Sequence, residues 1–270
     1  MPLDTPVPQG FRDAAYNNGA AVPGWVEKFA AWAERSAAIR AAHAATMDQP
    51  YRSRERTKID LFPGQPGAPC LVWFHGGYWM RNSREMFAIL GEGVRAHGWS
   101  LAIPGYTLAP EASLREIVGE CEAALDWLAD DGRTHGVDGP LIVAGWSAGG
   151  HLAAMTLGHH HVKAGLAVSG LFELAPLRDT YLDEKLKLEL TEIADLSPQR
   201  RPVVMKPLTI AHGTEELPAL VANSVGFHAL RTRAGAPGDL RAIGGADHFS
   251  VLDGLTRADG DLTRALLALG

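Results

Sequence analysis

The sequence predicts an α/β protein whose mostly parallel central sheet is covered by helices on both faces. Short apolar runs alternate with helix-like segments from residue 70 onward, and such alternation is typical of parallel strands joined by crossover helices. One apolar run, at residues 141–144, ends at a Gly-x-Ser-x-Gly turn that leads directly into a helix-forming stretch. At 270 residues the chain has the size of one large α/β domain, so we expect a single domain over residues 1–270.

The first 55 residues are predicted to form an N-terminal arm followed by a helix. Residues 1–24 are rich in Pro, Gly and Asn, which predicts an extended arm. Residues 25–45 are rich in Ala, Glu and Arg and carry Trp25, Phe29 and Trp32 at helical spacing, which predicts an amphipathic helix. This aromatic stripe indicates a packing surface rather than a cofactor site.

The remaining elements follow from hydrophobic periodicity and from turn residues. Residues 57–62 alternate as a half-buried strand does, a Pro- and Gly-rich turn follows, and the continuous apolar run at 70–74 predicts a buried strand. Further strands are predicted at 100–103, 141–144, 164–169, 208–211 and 239–243, and helices at 83–97, 114–129, 148–157, 218–234 and 262–269. Residues 171–201 interrupt this alternation. They are charged and Leu-rich, so we expect them to form a small helical cover over one end of the sheet.

Composition excludes several classes of partner. The net charge is −6, so the chain lacks the basic surface that nucleic acid or an anionic membrane requires. No apolar run is long enough to span a bilayer, and no signal peptide is visible, so we expect a cytoplasmic protein. The two cysteines, Cys70 and Cys121, lie in apolar patterns and are interpreted as buried side chains rather than a disulfide. The oligomeric state stays open, with a homodimer as one option.

The turn at residues 145–149 has the form of a nucleophile elbow. In such an elbow a strand ends, the chain turns sharply and a serine hydroxyl is presented at the edge of the sheet. The crowded backbone requires tiny neighbours, and Gly145, Ala148 and Gly149 meet that requirement. Ser147 is therefore the predicted nucleophile of a serine hydrolase.

A serine nucleophile needs hydrogen-bond donors for the oxyanion that forms during acyl transfer. The strand predicted at 70–74 runs into His-Gly-Gly-Tyr-Trp at residues 75–79, and glycines let backbone N–H groups approach a ligand closely. We therefore expect an oxyanion hole built by Gly76, Gly77 and Tyr78 of this loop, with Ala148, the residue after the nucleophile, completing it.

The serine also needs a base, and the base needs an acid that orients it. His248 follows the last predicted strand, which is the position of the base when the chain order is Ser, acid, His. The acid is expected after the penultimate strand, where Glu215 and Glu216 are adjacent candidates. Asp247 is interpreted as a carboxylate that stabilises its own loop.

Other histidines are interpreted as structural. His151 lies four residues after Ser147 on the outgoing helix, which favours packing or hydrogen bonding, while His75 and His212 are expected to support their loops. The triplet at residues 159–161 suggests a metal site. However, consecutive side chains point in different directions and no Cys or carboxylate cluster accompanies them in the sequence, so a solvated helix end is the favoured interpretation. We expect neither a metal nor an organic cofactor.

Several segments together resemble the arylformamidase (kynurenine formamidase) branch of the α/β hydrolases. They are the pentapeptide at 75–79 and the segments 106–110, 145–152, 169–177 and 247–249, and the resemblance extends over nearly the whole chain. It implies the α/β-hydrolase fold. The Glu-x-Pro segment that starts at Glu216 resembles the acid motif of that branch, three residues after a strand-ending glycine, and this favours Glu216 over Glu215.

The resemblance also implies a substrate class. It implies hydrolysis of N-formylkynurenine to kynurenine and formate, or of small aryl or alkyl esters. This sequence has Glu216 where the animal enzymes have Asp, which preserves the role, and Trp146 where they carry a smaller or more polar residue, which changes the pocket. Apolar side chains that could line an aromatic pocket, or instead pack the cover onto the sheet, are Tyr78, Trp79, Trp146, Phe172 and Tyr181.

The sequence therefore predicts acyl transfer from a small-molecule ester or amide, with Ser147 attacking, His248 moving the proton and Glu216 orienting the imidazole. The alternatives are a general small-ester carboxylesterase without a formamidase role and a non-catalytic ligand receptor. The receptor alternative predicts loss of Ser147 or His248, and both are present.

Overall fold

The predicted strands assemble into one eight-stranded sheet in the computed structural model of the protein, which describes residues 7–270. The order across the sheet is β1-β2-β4-β3-β5-β6-β7-β8. From β4 to β8 every neighbouring pair is parallel, whereas β1 and β2 form an antiparallel edge. The strands are β1 (Gln49–Pro50), β2 (Lys58–Phe62), β3 (Cys70–Phe74), β4 (Ser100–Pro104), β5 (Leu141–Trp146), β6 (Val162–Val168), β7 (Leu208–Gly213) and β8 (Leu240–Ile243).

Helices cover the sheet on both faces, as predicted. In the described part of the chain they are α1 (Gln9–Ala14), α2 (Asn18–Ala21), α3 (Trp25–Ala41), α4 (Glu92–Arg95), α5 (Leu114–Asp130), α6 (Ala148–Thr156), α7 (Asp183–Leu186), α8 (Leu190–Leu196), α9 (Pro218–Arg233) and α10 (Asp261–Leu267). Helices α3, α4 and α10 bury their apolar side chains in one core layer. Helices α5, α6, α8 and α9 pack into the other.

The α/β fold class is thus confirmed. The parallel strands have a direct consequence for the site, because their carboxyl ends lie along one edge of the sheet. The loops after β3, β5, β6, β7 and β8 all leave from that edge. Every residue proposed from the sequence for the reaction lies in one of these loops or at a strand end.

The predicted helix over residues 83–97 is mostly wrong. The structure has two 3₁₀ turns, Arg84–Met86 and Ala88–Gly91, before the short helix α4. The Ser36 hydroxyl of α3 donates to the Met86 carbonyl at 2.9 Å and accepts from the Ile89 N–H at 3.1 Å. These bonds take backbone groups that a continuous helix would use, so tertiary contact overrides the local helical pattern.

The extended arm expected over residues 1–24 is also wrong where the structure describes it. Residues 1–6 lie outside the described part, and α1 and α2 occupy much of the rest. The Asn17 side chain accepts a hydrogen bond from the Ala20 N–H at 3.2 Å and so caps α2. Residues that favour turns can also begin a helix, and here they do.

The segment 171–201 is helical, as expected. It contains α7, α8 and the 3₁₀ turns Ala175–Asp179 and Pro198–Arg200. The N–H of Tyr181 donates to Asp13 of α1 at 2.8 Å, and the N–H of Arg115 in α5 donates to Glu192 of α8 at 3.1 Å. The cover therefore contacts both the N-terminal helices and the sheet-packing helix α5.

From residue 7 to residue 270, no helix combines the length and the apolar character that crossing a bilayer requires.

Candidate active site

Ser147 occupies a strained turn between β5 and α6. Its φ is +57° and its ψ is −119°, a conformation that costs a side-chain-bearing residue about 1–3 kcal/mol. The turn is crowded because a Cβ on Gly149 would collide with the backbone carbonyl of Phe74 at the end of β3. The elbow therefore requires the small neighbours that the sequence supplies, and it raises the serine above the edge of the sheet.

His248 and Glu216 are directly hydrogen-bonded. The His248 Nδ1 lies 2.8 Å from Glu216 Oε2, and both side chains are buried. His248 lies in the loop after β8 and Glu216 in the loop after β7. A bond at Nδ1 leaves Nε2 as the ring nitrogen available to a substrate or a nucleophile.

The second oxygen of Glu216 is held by two donors that hydrogen-bond to it. Oε1 accepts from the Ser169 hydroxyl at 2.5 Å and from the Gly213 N–H at 2.6 Å. Burial by itself raises the pKa of the Glu216 carboxyl, but the hydrogen bonds from His248, Ser169 and Gly213 outweigh it, so the pKa is lowered. The group is therefore a fixed carboxylate beside the imidazole.

Ser169 is a candidate functional residue that no sequence motif indicated. Its place immediately after β6, at the same sheet edge as the other loops, is the signal that could have indicated it. Its φ of +51° is in the left-handed region, as is that of Ser147. Two strained serines therefore flank the carboxyl end of the central strands.

Ser147 and His248 line the same cavity of about 300 Å³. Among the described residues, no hydrogen bond joins the Ser147 hydroxyl to the His248 ring, and both face the cavity. The lining contains both aromatic and polar residues. It consists of Asn17, Asn18, Gly19, Trp25, Phe29, Gly77, Tyr78, Arg81, Asn82, Trp146, Ser147, Tyr181, His248 and Phe249.

Gly77 and Tyr78, in the loop after β3, line this cavity. In the described chain no acceptor is found for the N–H groups of Gly77 and Tyr78, and the Ala148 N–H is one of the unpaired donors at the start of α6. The φ values of Gly77 and Tyr78 are +119° and +50°, so the loop bends sharply here. Gly76 packs against Trp146, and its carbonyl accepts from the Asn82 side chain at 3.1 Å.

Tyr78 is held by the N-terminal segment. Its hydroxyl donates to the Tyr16 carbonyl at 2.6 Å and accepts from the Asn18 side-chain amide at 3.1 Å. Since Tyr78 also belongs to the loop after β3, Tyr16 and Asn18 of the N-terminal segment hold that loop in place. This contact was not foreseen, because the arm was expected to be extended.

The expected pocket residues divide into two groups. Tyr78, Trp146 and Tyr181 line the cavity, as expected. Trp79 and Phe172 do not, which corrects the expectation: Trp79 is fully buried against His151, and Phe172 stacks on Phe227 in the core. Further lining residues come from distant segments and were not expected from the sequence, namely Trp25, Phe29, Arg81 and Phe249.

The other candidate residues lie away from the cavity. His151 is buried and its Nε2 hydrogen-bonds the Leu196 carbonyl at 2.8 Å. His75 stacks on Tyr106, and burial lowers the pKa of His75 and of His151 to about 4. Glu215 is exposed. Asp247 accepts from the N–H groups of its own loop, at 2.7 and 2.8 Å, as expected.

The histidine triplet lies at the other edge of the sheet, in the turn between α6 and β6. His160 and His161 are exposed, in agreement with the expected solvated position. Two premises are wrong. Helix α5 brings the carboxylate of Asp126 beside the triplet, and the ring nitrogens of His160 and His161 lie within 4.8 Å of each other rather than diverging. Asp126 is distant in sequence, so spacing alone did not reveal it.

Comparisons with known proteins identify similar hydrolases. Residues 71–214 match the family described as alpha/beta hydrolase fold. The chain is 27% identical over 247 residues to the kynurenine formamidase of Danio rerio, covering 85% of this chain and 83% of the relative. For the Salmo salar kynurenine formamidase the identity is 26% over 241 residues, with 83% and 81% covered.

Solved structures share the fold. The crystal structure of a candidate thioesterase from Silicibacter sp. TM1040 superposes with a TM-score of 0.85 at 28% identity, covering 94% of this chain and 98% of that one. A truncated carbohydrate esterase from gut microbiota superposes with a TM-score of 0.70 at 18% identity, covering 83% and 95%. The chain therefore resembles hydrolases over most of its length.

Proposed function

Because this chain belongs to the α/β-hydrolase fold family and is similar to kynurenine formamidases, we propose that it is a serine hydrolase that cleaves a small carboxylic ester or amide. The observation that carries the proposal is the meeting of three loops. Ser147, at a strained elbow, lines one cavity with His248, whose Nδ1 lies 2.8 Å from the buried carboxylate of Glu216.

In the proposed mechanism the Ser147 oxygen attacks the substrate carbonyl carbon while His248 Nε2 accepts the hydroxyl proton. Glu216 holds the imidazole in the tautomer that accepts at Nε2 and stabilises the imidazolium that forms. The N–H groups of Gly77, Tyr78 and Ala148 donate to the oxyanion. His248 then gives its proton to the leaving group, and water releases the acyl group from Ser147 by the same sequence of proton transfers.

For the substrate we propose an aryl formamide, N-formylkynurenine, which is hydrolysed to kynurenine and formate. The kynurenine formamidase relatives support this choice, and the cavity lining is compatible with it. Trp25, Phe29 and Phe249 offer aromatic faces for a ring, and the guanidinium of Arg81 offers a partner for a carboxylate. N-formylkynurenine carries both groups.

The serine mechanism is tested by Ser147→Ala. We expect turnover of p-nitrophenyl acetate to disappear while the melting temperature stays close to that of the wild type. A fluorophosphonate probe should add one label to the wild-type chain and none to the variant. Retained turnover, or labelling at another residue, would remove Ser147 from the mechanism.

The substrate is tested by comparing steady-state rates on N-formylkynurenine with rates on p-nitrophenyl esters of increasing acyl length. An acetyl thioester belongs in the same series, because one similar structure is named as a thioesterase. The formamidase proposal predicts that kcat/KM for the formyl substrate exceeds the others by orders of magnitude. A flat profile would instead identify a general small-ester hydrolase.

A further inference from the structure

We propose that Asp126, His160 and His161 form a surface binding site for a divalent transition metal ion of the zinc type. One ligand atom from each of the three side chains lies within 4.8 Å of the others. Zinc binds nitrogen and oxygen ligands at about 2.0–2.2 Å, so two ligands on one ion lie roughly 3.4 Å apart. Small side-chain rotations are therefore sufficient to close the three groups around one ion.

The backbone holds these side chains in place. His160 and His161 are the central residues of a turn closed by the Val162 N–H, which donates to the His159 carbonyl at 3.0 Å. The Lys206 ammonium donates to the same carbonyl at 2.6 Å and to the Val162 carbonyl at 2.7 Å. A turn fixed at both ends loses little conformational entropy when its side chains bind an ion.

His159 hydrogen-bonds the Asp126 carboxylate from outside the proposed site, as an outer partner commonly does for a metal-binding carboxylate. Its Nε2 lies 3.1 Å from Asp126 Oδ1, and its side chain is only 10% exposed. Such an outer partner orients the carboxylate and leaves its other oxygen for the ion.

The ligand types indicate which ion binds. Two imidazoles and one carboxylate suit Zn²⁺, Ni²⁺ and Cu²⁺, whereas Mg²⁺ and Ca²⁺ prefer oxygen ligands. The charges nearby are mixed. Lys206 adds a positive charge, and Glu122, one helical turn before Asp126 on α5, adds a second negative charge near the triplet.

The site is remote from the proposed catalytic residues. The turn precedes β6, whereas Ser147 follows β5, which is parallel to β6. A seven-residue strand spans roughly 20 Å, so the two sites lie at opposite edges of the sheet. Metal binding is therefore expected without any change in ester hydrolysis.

The test is calorimetric titration of ZnCl₂ into the full chain without an affinity tag, after treatment with EDTA and dialysis into metal-free buffer at pH 7.5. We expect one saturable site per chain. The double variant His160→Asn/His161→Asn should weaken Zn²⁺ affinity at least about a hundredfold. His159→Asn should weaken it about tenfold, as loss of an outer partner commonly does.

The matched control is His97→Asn/His228→Asn, which removes two histidines elsewhere and should bind Zn²⁺ as the wild type does. Circular dichroism and melting temperatures without metal establish that each variant is folded. Binding that does not saturate near one equivalent would overturn the proposal, as would equal affinity in the 160/161 double variant and the wild type. Rates on p-nitrophenyl acetate with and without EDTA should be equal, and a loss restored by Zn²⁺ would contradict the remote position.

Discussion

The indole Nε1 of Trp146 donates a hydrogen bond of 2.7 Å to the backbone carbonyl of His248. These residues are 102 positions apart, and the two rings also pack, with centroids 4.9 Å apart. The residue before the proposed nucleophile therefore holds the residue that carries the proposed base. This contact fixes the loop after β8 against the elbow.

Trp146→Phe should lower kcat for p-nitrophenyl acetate about three- to tenfold, with KM little changed. The substitution keeps an aromatic ring but removes the hydrogen bond, and one such bond contributes about 0.5–1.5 kcal/mol. Stopped-flow or steady-state rates measure the effect. Trp127→Phe, which changes a tryptophan on α5 away from the cavity, should leave kcat unchanged; an equal loss in both variants would mean that general destabilisation is the cause.

His248→Asn should reduce turnover by at least about a thousandfold, because it removes the group that accepts and returns the proton. His151→Asn, on the same substrate, should retain most of its turnover, because His151 hydrogen-bonds Leu196 in the core. Activity and melting temperature are measured for both variants. If His151→Asn is folded and inactive while His248→Asn is active, the base has been assigned to the wrong histidine.

Glu216→Gln and Glu215→Gln separate the two adjacent acids. Glu216→Gln should lower kcat by about a hundred- to ten-thousandfold, since an amide no longer stabilises the imidazolium or fixes its tautomer. Glu215→Gln should stay within about twofold of the wild type, because its side chain is exposed. A large loss in the Glu215 variant alone would reverse the assignment of the acid.

Arg81→Met should raise KM for N-formylkynurenine about tenfold or more and leave KM for p-nitrophenyl acetate unchanged. Arg81 lines the cavity, and a charge-assisted hydrogen bond from its guanidinium to a substrate carboxylate contributes about 1.5–3 kcal/mol. The neutral ester has no carboxylate and serves as the internal control. Unchanged KM for both substrates would exclude Arg81 from carboxylate recognition.

Acid should destabilise the protein through two buried histidines. Burial lowers the pKa of His75 and His151 to about 4, whereas an unfolded histidine has a pKa of about 6.5. Between these values the unfolded chain binds more protons, so the free energy of unfolding falls as pH falls from 6.5 towards 4. Each histidine contributes a slope of up to about 1.4 kcal/mol per pH unit.

Urea denaturation at pH 7 and pH 5 measures this acid sensitivity. His151→Asn should show a smaller difference between the two pH values than the wild type, because one of the two titrating groups is gone. His97→Asn removes an exposed histidine and should keep the wild-type difference. If the free energy of unfolding changes equally between pH 7 and pH 5 in the wild type and in His151→Asn, protonation of His151 does not contribute to the acid sensitivity.

Local patterns in the chain were sufficient for the fold class and for the elbow. A strand, a tight turn and a helix follow one another around Ser147 within a few residues, so the sequence displays the whole unit. His248 and Glu216 could be proposed because parallel strands place the ends of successive strands at one edge. The choice between Glu216 and Glu215 needed the family resemblance, since both follow the same strand.

These local patterns did not predict the contacts between distant segments. The bond between Ser169 and Glu216, the bond between Trp146 and His248, and the approach of Asp126 to His160 each join residues of different elements. The burial of Phe172 and Trp79 depends likewise on which neighbours the folded chain supplies. Periodicity reports the face that a residue occupies on its own element, whereas the partner on that face depends on how the elements pack. Residue types and chain order therefore predicted the proposed reaction. The shape and lining of the cavity depend on how distant loops pack against one another, so only the tertiary structure decided them.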